Sequence, residues 1–352
     1  MAVFVNPYRG AGLPGLWGGA PVWPSVDADA VAGLLAHCPA AAETPLVGAP
    51  GLAAAAGVAQ VLLKDETARM GLGSFKALGA AYAIAREAAA AGGDFAKALA
   101  GRVYIAASAG NHGLSVAVGA RITGARSVIV LAETVPESFA ERLRGKGAEV
   151  RRAGAIYEDS MAAAMRLADE NGWTLLSDSS WPGYTDLPCR VMEGYLQLAA
   201  EAAGQMREAP SHIFLQAGVG GLAAAVAAYA RKVWGDGPRI IVVEPEFAPA
   251  LLESARAGRV VVAGGPVSAM GRLDCKEPSL IALAGLARDA DVFMTVSEAG
   301  AREATERLAA EGISTTPSGA AGIAGLFSGA AELQLAPGAR VLAIVSETGE
   351  AA

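Results

Sequence analysis

The chain has 352 residues, enough for about two domains at roughly 150 residues each. Lys and Arg number 28 against 35 Asp and Glu, a net charge of −7, which excludes the basic surface a nucleic-acid binder needs. Only 18% of residues are charged and 53% are hydrophobic, so the composition excludes disorder and supplies a large core.

The opening MAVFVNPYRGAGLPG has no basic segment followed by an apolar one, so no signal peptide is expected. The first 40 residues are rich in Gly, Pro and Trp and predict an irregular arm with one short helix. From Val61, short β-branched runs alternate with long Ala-rich segments. The runs are 61–64, 102–107, 127–132, 148–154, 173–177, 212–218, 239–245, 292–297 and 340–346. Helical periodicity lies between them, as in 75–90 and 160–172. This alternation predicts an α/β fold with two lobes, each a mostly parallel sheet flanked by helices. A smaller lobe at 101–195 is expected inside a larger one formed by 1–100 and 196–352. A long helix over 187–204 would return the chain between them. The longest apolar stretch, Leu215–Ala230, is interrupted by Gln216 and by glycines. It falls short of the roughly 18–20 residues that cross a bilayer.

Four segments carry candidate chemistry. In 62–84 a strand leads to Ser74-Phe75-Lys76 at the start of a helix. The positive end of the helix dipole is expected to lower the Lys76 pKa and favour its free amine, which can form a Schiff base. A solvated surface lysine is the plain alternative. In 106–124 a strand enters Ser108-Ala109-Gly110-Asn111-His112-Gly113 and then a helix. Backbone amides there suit an anion such as a carboxylate, although a capped turn would look the same. In 212–230 a strand, Gly218-Val219-Gly220-Gly221-Leu222 and a helix form a phosphate cradle. The loop lacks the GxGxxG and GK[ST] registers, so a single phosphate monoester fits better than NAD or ATP. In 341–349 a buried strand ends at Ser346, whose hydroxyl can meet a ring atom at a strand's carboxyl end, or simply cap a turn. The three cysteines, Cys38, Cys189 and Cys275, show no paired spacing, which fits a reduced, cytoplasmic enzyme. The three histidines form no zinc pattern, and no metal is expected.

Order and spacing of the four segments resemble fold-type II pyridoxal-phosphate enzymes, the group of threonine dehydratase, serine racemase and the tryptophan synthase β-subunit. FVNPYRG (4–10), the stretch 44–80, DSSWPGYTDLPCRVMEGY (178–195), MGRLDCKEPS (270–279) and TPSGAAG (316–322) look like the diaminopropionate ammonia-lyase family. The resemblance implies pyridoxal 5′-phosphate as cofactor, a small amino-acid substrate, a homodimer, and no nucleic-acid or membrane partner. It implies that Lys76, beside Phe75, binds the cofactor covalently and that Asn111 meets its 3′-oxygen. Gly218, Val219, Gly220, Gly221 and Leu222 would hold its phosphate, and Ser346 would face its ring nitrogen. Ser108, Ala109, Gly110, Asn111 and His112 would form the substrate's carboxylate loop, with the His112 ring structural. Asp178 would handle the β-leaving group. A neutral hydroxyl at the ring nitrogen suits β-elimination.

The expected reaction is elimination of ammonia from an L-amino acid such as 2,3-diaminopropionate. The alternatives are an L-serine, L-threonine or 3-hydroxyaspartate dehydratase and a β-replacement synthase. Two departures bear on the choice. Ala109 stands where that family carries an acid serving the D-isomer, and alanine moves no proton. Arg272 and Lys276 replace small residues. They are either solvated charges or cations that favour an acidic substrate side chain. Trp181 and Tyr184 either close over the site or pack a lobe interface.

Overall fold

The computed structural model describes residues 1–18 and 20–349. In chain order, β1 (Val3–Val5) and α1 (Ala28–Leu35) precede β2 (Leu46–Gly48), α2 (Pro50–Ala56), β3 (Gln60–Asp65) and α3 (Ala80–Ala91). Next come β4 (Val103–Ala107), α4 (Asn111–Ile122), β5 (Arg126–Leu131), α5 (Glu137–Gly145), β6 (Glu149–Arg152), α6 (Tyr157–Asn171) and β7 (Thr174–Leu175). The chain continues through α7 (Asp186–Gly194), α8 (Leu196–Gln205), β8 (His212–Gln216), α9 (Gly221–Trp234), β9 (Arg239–Pro245) and α10 (Ala250–Ala257). It ends with α11 (Leu280–Asp289), β10 (Val292–Val296), α12 (Glu298–Ala310), α13 (Pro317–Gly329) and β11 (Arg340–Val345).

Two sheets result, as the alternation predicts. One has seven strands in the order β1-β10-β9-β8-β11-β3-β2, and the other four in the order β6-β5-β4-β7. All pairings are parallel except those of β1 with β10 and β2 with β3. The four-stranded sheet takes every strand from within 103–175. Parallel strands need helices on both faces, which explains why β4, β8, β9 and β11 are buried nearly throughout. Among the described residues no helix is long and apolar enough to cross a membrane.

Three local expectations change. The arm contains β1 as well as its helix, and the Asn6 amide fastens it to the Ala287 and Ala290 carbonyls at 2.8 and 2.6 Å. The 187–204 segment is two helices joined at Tyr195. Gly194 presses on the Leu78 carbonyl so closely that a Cβ would sit 2.0 Å from its oxygen. The helix expected to open at Ser74 is a single 3₁₀ turn, Phe75–Leu78, and α3 starts beyond Gly79.

A buried charge network sits beyond the end of β3. The Lys64 ammonium meets Glu201 at 2.7 Å. The Arg69 guanidinium bridges Glu66 at 2.7 Å and Glu201 at 2.6 Å. Thr44 donates to Glu66 at 2.6 Å.

Glu244, fully buried near the end of β9, accepts the Leu251 and Leu252 amides of α10 at 2.7 and 2.8 Å. Burial pushes its carboxyl up to about 8, against the two amides that favour the charge. A carboxyl raised in the fold binds its proton more tightly than in the unfolded chain, so its stabilising effect is lost as pH rises. The melting temperature should therefore fall between about pH 4.5 and 8, and Glu244→Gln should flatten that slope. A slope unchanged in the variant would assign it to other groups.

Candidate active site

The candidate residues stand where strands end. The Lys76 turn, the glycine loop and Ser346 follow β3, β8 and β11, which are neighbours in the larger sheet. The 108–110 loop and Asp178 follow β4 and β7, neighbours in the smaller one. Ligands of open α/β sheets bind outside the carboxyl ends of strands, and here two such sheet ends contribute to one cleft.

The Lys76 ammonium contacts the Asp178 carboxylate, and both side chains are mostly buried. Burial works against the Lys76 charge, yet Asp178 outweighs it and holds the lysine above its usual range. Burial likewise works to raise Asp178, and the Lys76 charge holds it well below the usual carboxylate range. The expectation of a free amine from the helix dipole is therefore reversed. The turn is one 3₁₀ turn with little dipole, and a full charge in contact exceeds a partial one.

The Lys76 Nζ lies 5.3 Å from the Phe75 ring centre and 5.8 Å from that of Tyr195. The Tyr195 ring fills the space a Cβ on Gly79 would need, 2.7 Å away, and also borders Gly221 at 3.6 Å. One buried ring thus spans from the lysine to the glycine loop. Gly220, at φ +99°, precedes α9, and a Cβ there would meet Ala282 and Leu251 at 3.0 Å. A Cβ on Gly218 would meet the Cys275 sulfur at 3.0 Å. The loop is packed from behind, and helix geometry leaves the first amides of α9 without intrahelical partners. These belong to the Gly220, Gly221 and Leu222 end of the loop. Val219 fixes the loop by accepting the Ser279 amide at 2.9 Å. Ser346 is buried, and its carbonyl accepts the Phe75 amide at 3.1 Å.

The 108–113 segment splits in function. Gly110 caps α4, Asn111 is its first residue, and Ser108 accepts the Gly110 amide at 3.3 Å. Ala109 presents no polar side-chain atom. His112 is buried, and its Nε2 meets the Leu176 carbonyl at 2.9 Å, bracing the strand end before Asp178. Asn111 reaches the other sheet, where its amide donates to Glu347 at 2.6 Å.

Glu347 escaped the sequence reading. Its carboxylate also accepts Thr316 at 2.5 Å and lies 3.5 Å from Arg272, and its backbone bridges Ser74. Three of the four candidate segments therefore meet at this residue. The signal was its position directly after Ser346, but no motif marked it. Cys275 was likewise missed, and burial pushes its thiol up to about 12. Lys276 donates to the Phe247 carbonyl between β9 and α10 at 2.6 Å, and within its own loop to the Pro266 carbonyl and Asp274 at 2.9 and 2.7 Å.

Trp181 and Tyr184 stack at 4.4 Å, and the Tyr184 hydroxyl donates to the Leu175 carbonyl at 2.8 Å while accepting the Ser177 amide at 3.1 Å. They clamp the turn that carries Asp178. Tyr184→Phe should cost about 1–3 kcal/mol in a denaturant titration, because two backbone groups lose their partner. No measurable loss would mean that the clamp is dispensable.

A family model described as pyridoxal-phosphate dependent enzyme matches residues 38–347. The chain belongs to this family. Its cofactor is pyridoxal phosphate, and the residues fit that group: a lysine amine in a protected cleft, a glycine loop with helix-end amides for the phosphate, and a hydroxyl at a strand end.

Among curated family relatives, the diaminopropionate ammonia-lyase of Salmonella typhimurium is 35% identical over 262 residues, 68% of this chain and 65% of that protein. The aligned part thus spans just under two thirds of that relative. The serine dehydratase-like protein of Rattus norvegicus is 28% identical over 81% of this chain and 82% of its own length. The crystal structure of the Escherichia coli diaminopropionate ammonia lyase with D-serine superposes with a TM-score of 0.88 at 28% identity, covering 99% of this chain and 93% of that one.

Proposed function

We propose that the protein eliminates the β-amine of a small L-amino acid such as 2,3-diaminopropionate as ammonia, and that water then hydrolyses the released enamine to a 2-oxo acid (pyruvate from this substrate) and a second ammonia. The contact between Lys76 and Asp178 carries this reading, because it joins the two groups that the reaction would use as base and as proton carrier. The similarity to diaminopropionate ammonia-lyases supports it.

The cofactor supplies an electron-withdrawing ring that makes the substrate's Cα–H acidic. Ser108, Asn111 and the amides opening α4 bind the substrate carboxylate. Lys76 Nζ, a neutral amine once the cofactor is loaded and the substrate amine has replaced it there, takes the Cα proton from one face. Asp178 steadies the proton on the departing β-amine, the step a positioned acid accelerates about 10²- to 10⁴-fold. Ala109 offers no base on the other face, so the D-isomer is expected to be inert. A homodimer in the cytoplasm completes the proposal, supported by the family resemblance and by three unpaired cysteines.

The dehydratase reading on L-serine, L-threonine or 3-hydroxyaspartate is the second candidate, favoured by the similarity to the rat protein over 81% of this chain. The test is 2-oxo acid release from L- and D-diaminopropionate, L-serine, L-threonine and both 3-hydroxyaspartates. Fastest release from L-diaminopropionate supports the proposal. A hydroxy amino acid turned over faster replaces it with the dehydratase, and equal turnover of the D-isomer removes the role given to Ala109.

A further inference from the structure

Arg272 belongs to the loop packed behind the glycines, and its side chain is about one-third exposed. Its backbone amide is pinned by the Ser318 hydroxyl at 3.1 Å. Its carbonyl packs on the glycine loop, 3.3 Å from where a Cβ on Gly218 would sit. Its side chain then crosses the cleft. Cδ and Nε stand 3.7 Å from the Cβ position of Gly110, the cap of α4. The guanidinium carbon is 6.0 Å from the Phe139 ring centre on α5. Glu347, at 3.5 Å from Nε, holds the group from the side, and the same carboxylate oxygen accepts Asn111.

A guanidinium and the amino end of a helix are both electropositive, and an anion between them answers both. We propose that Arg272 binds the α-carboxylate of the amino acid, from the opposite sheet to the 108–111 loop that holds its other side. Its planar fork matches a carboxylate with two parallel donors. The substrate would then be gripped by both sheets at one end. The assignment rests on the reading of 108–111 as the carboxylate loop.

The test uses the holoenzyme and two amines without a leaving group, followed by the absorption change of the bound cofactor. L-alanine carries the carboxylate, and ethylamine does not. Arg272→Gln should weaken L-alanine roughly 10- to 100-fold, the range of charge-assisted hydrogen bonds, and leave ethylamine within about twofold. Arg272→Lys should recover part of the loss, since it keeps the charge but not the fork. Unchanged L-alanine binding in Arg272→Gln overturns the proposal. So does tighter binding, which would mean that the arginine occupies the substrate's place. L-aspartate weakened much more than L-alanine would transfer Arg272 to a distal carboxylate. A wild type that takes up neither amine refutes the carboxylate-loop reading itself, and the assignment falls with it. L-alanine binding by the wild type separates that failure from one specific to Arg272.

Discussion

Lys76→Ala should remove all measurable turnover and the covalently held cofactor together. Lys76 is an ammonium mostly out of water, on a turn fixed by Ser74 and by the backbone of Ser346. Lys64 is not placed to replace it, since it is bound into the network with Glu201 and Thr44. The cofactor should still bind through its phosphate, because the glycine loop does not depend on Lys76. The measurement is absorption after dialysis and after borohydride treatment, with mass spectrometry of the reduced protein. The wild type should carry one reduced adduct on the peptide containing Lys76, and the variant none. Retained activity in Lys76→Ala would refute the assignment of the base.

Asp178→Asn should lower kcat about 10²- to 10⁴-fold, the contribution of a positioned acid or base. A second consequence has the opposite sign. In the chain without cofactor, Asp178 keeps Lys76 protonated, and only a neutral amine attacks a carbonyl. Replacing the carboxylate removes the raising effect and leaves burial, which lowers a lysine pKa. The variant should therefore take up pyridoxal phosphate faster than the wild type near pH 7, with its rate–pH profile displaced to lower pH. Slower turnover with faster loading is a pattern that general unfolding cannot produce. A loss below about tenfold in kcat would take the catalytic role from Asp178.

The sheets were legible because parallel strands covered on both faces read as unbroken apolar runs, and each of the nine runs became a strand. β1 and β2 escaped because each is only three residues long, on an antiparallel edge of the sheet. The break at Tyr195 is invisible locally. Beside it, Gly194 lies against the Leu78 carbonyl, more than a hundred positions away. Distance along the chain also explains the reversed charge state of Lys76, whose partner follows 102 positions later. The lysine, asparagine and glycine loops were readable through small residues that few other uses require. Glu347 and Arg272 were harder, since one carboxylate or one guanidinium is usually only a solvated side chain.

The charge network of Lys64, Glu66, Arg69 and Glu201 affects how loss-of-function variants should be interpreted. Removing one member of a buried ionic group leaves the others uncompensated, at about 3–5 kcal/mol. Against a typical folding stability of about 5–15 kcal/mol, such a variant would be poorly populated at growth temperature. A random screen for inactive clones would then return two populations. One, around Lys76 and Asp178, would yield abundant inert protein. The other, around Arg69 and Glu201, would yield little protein, with normal specific activity in what survives at lower temperature. Sorting clones by abundance before activity would keep residues of the second group out of the catalytic map.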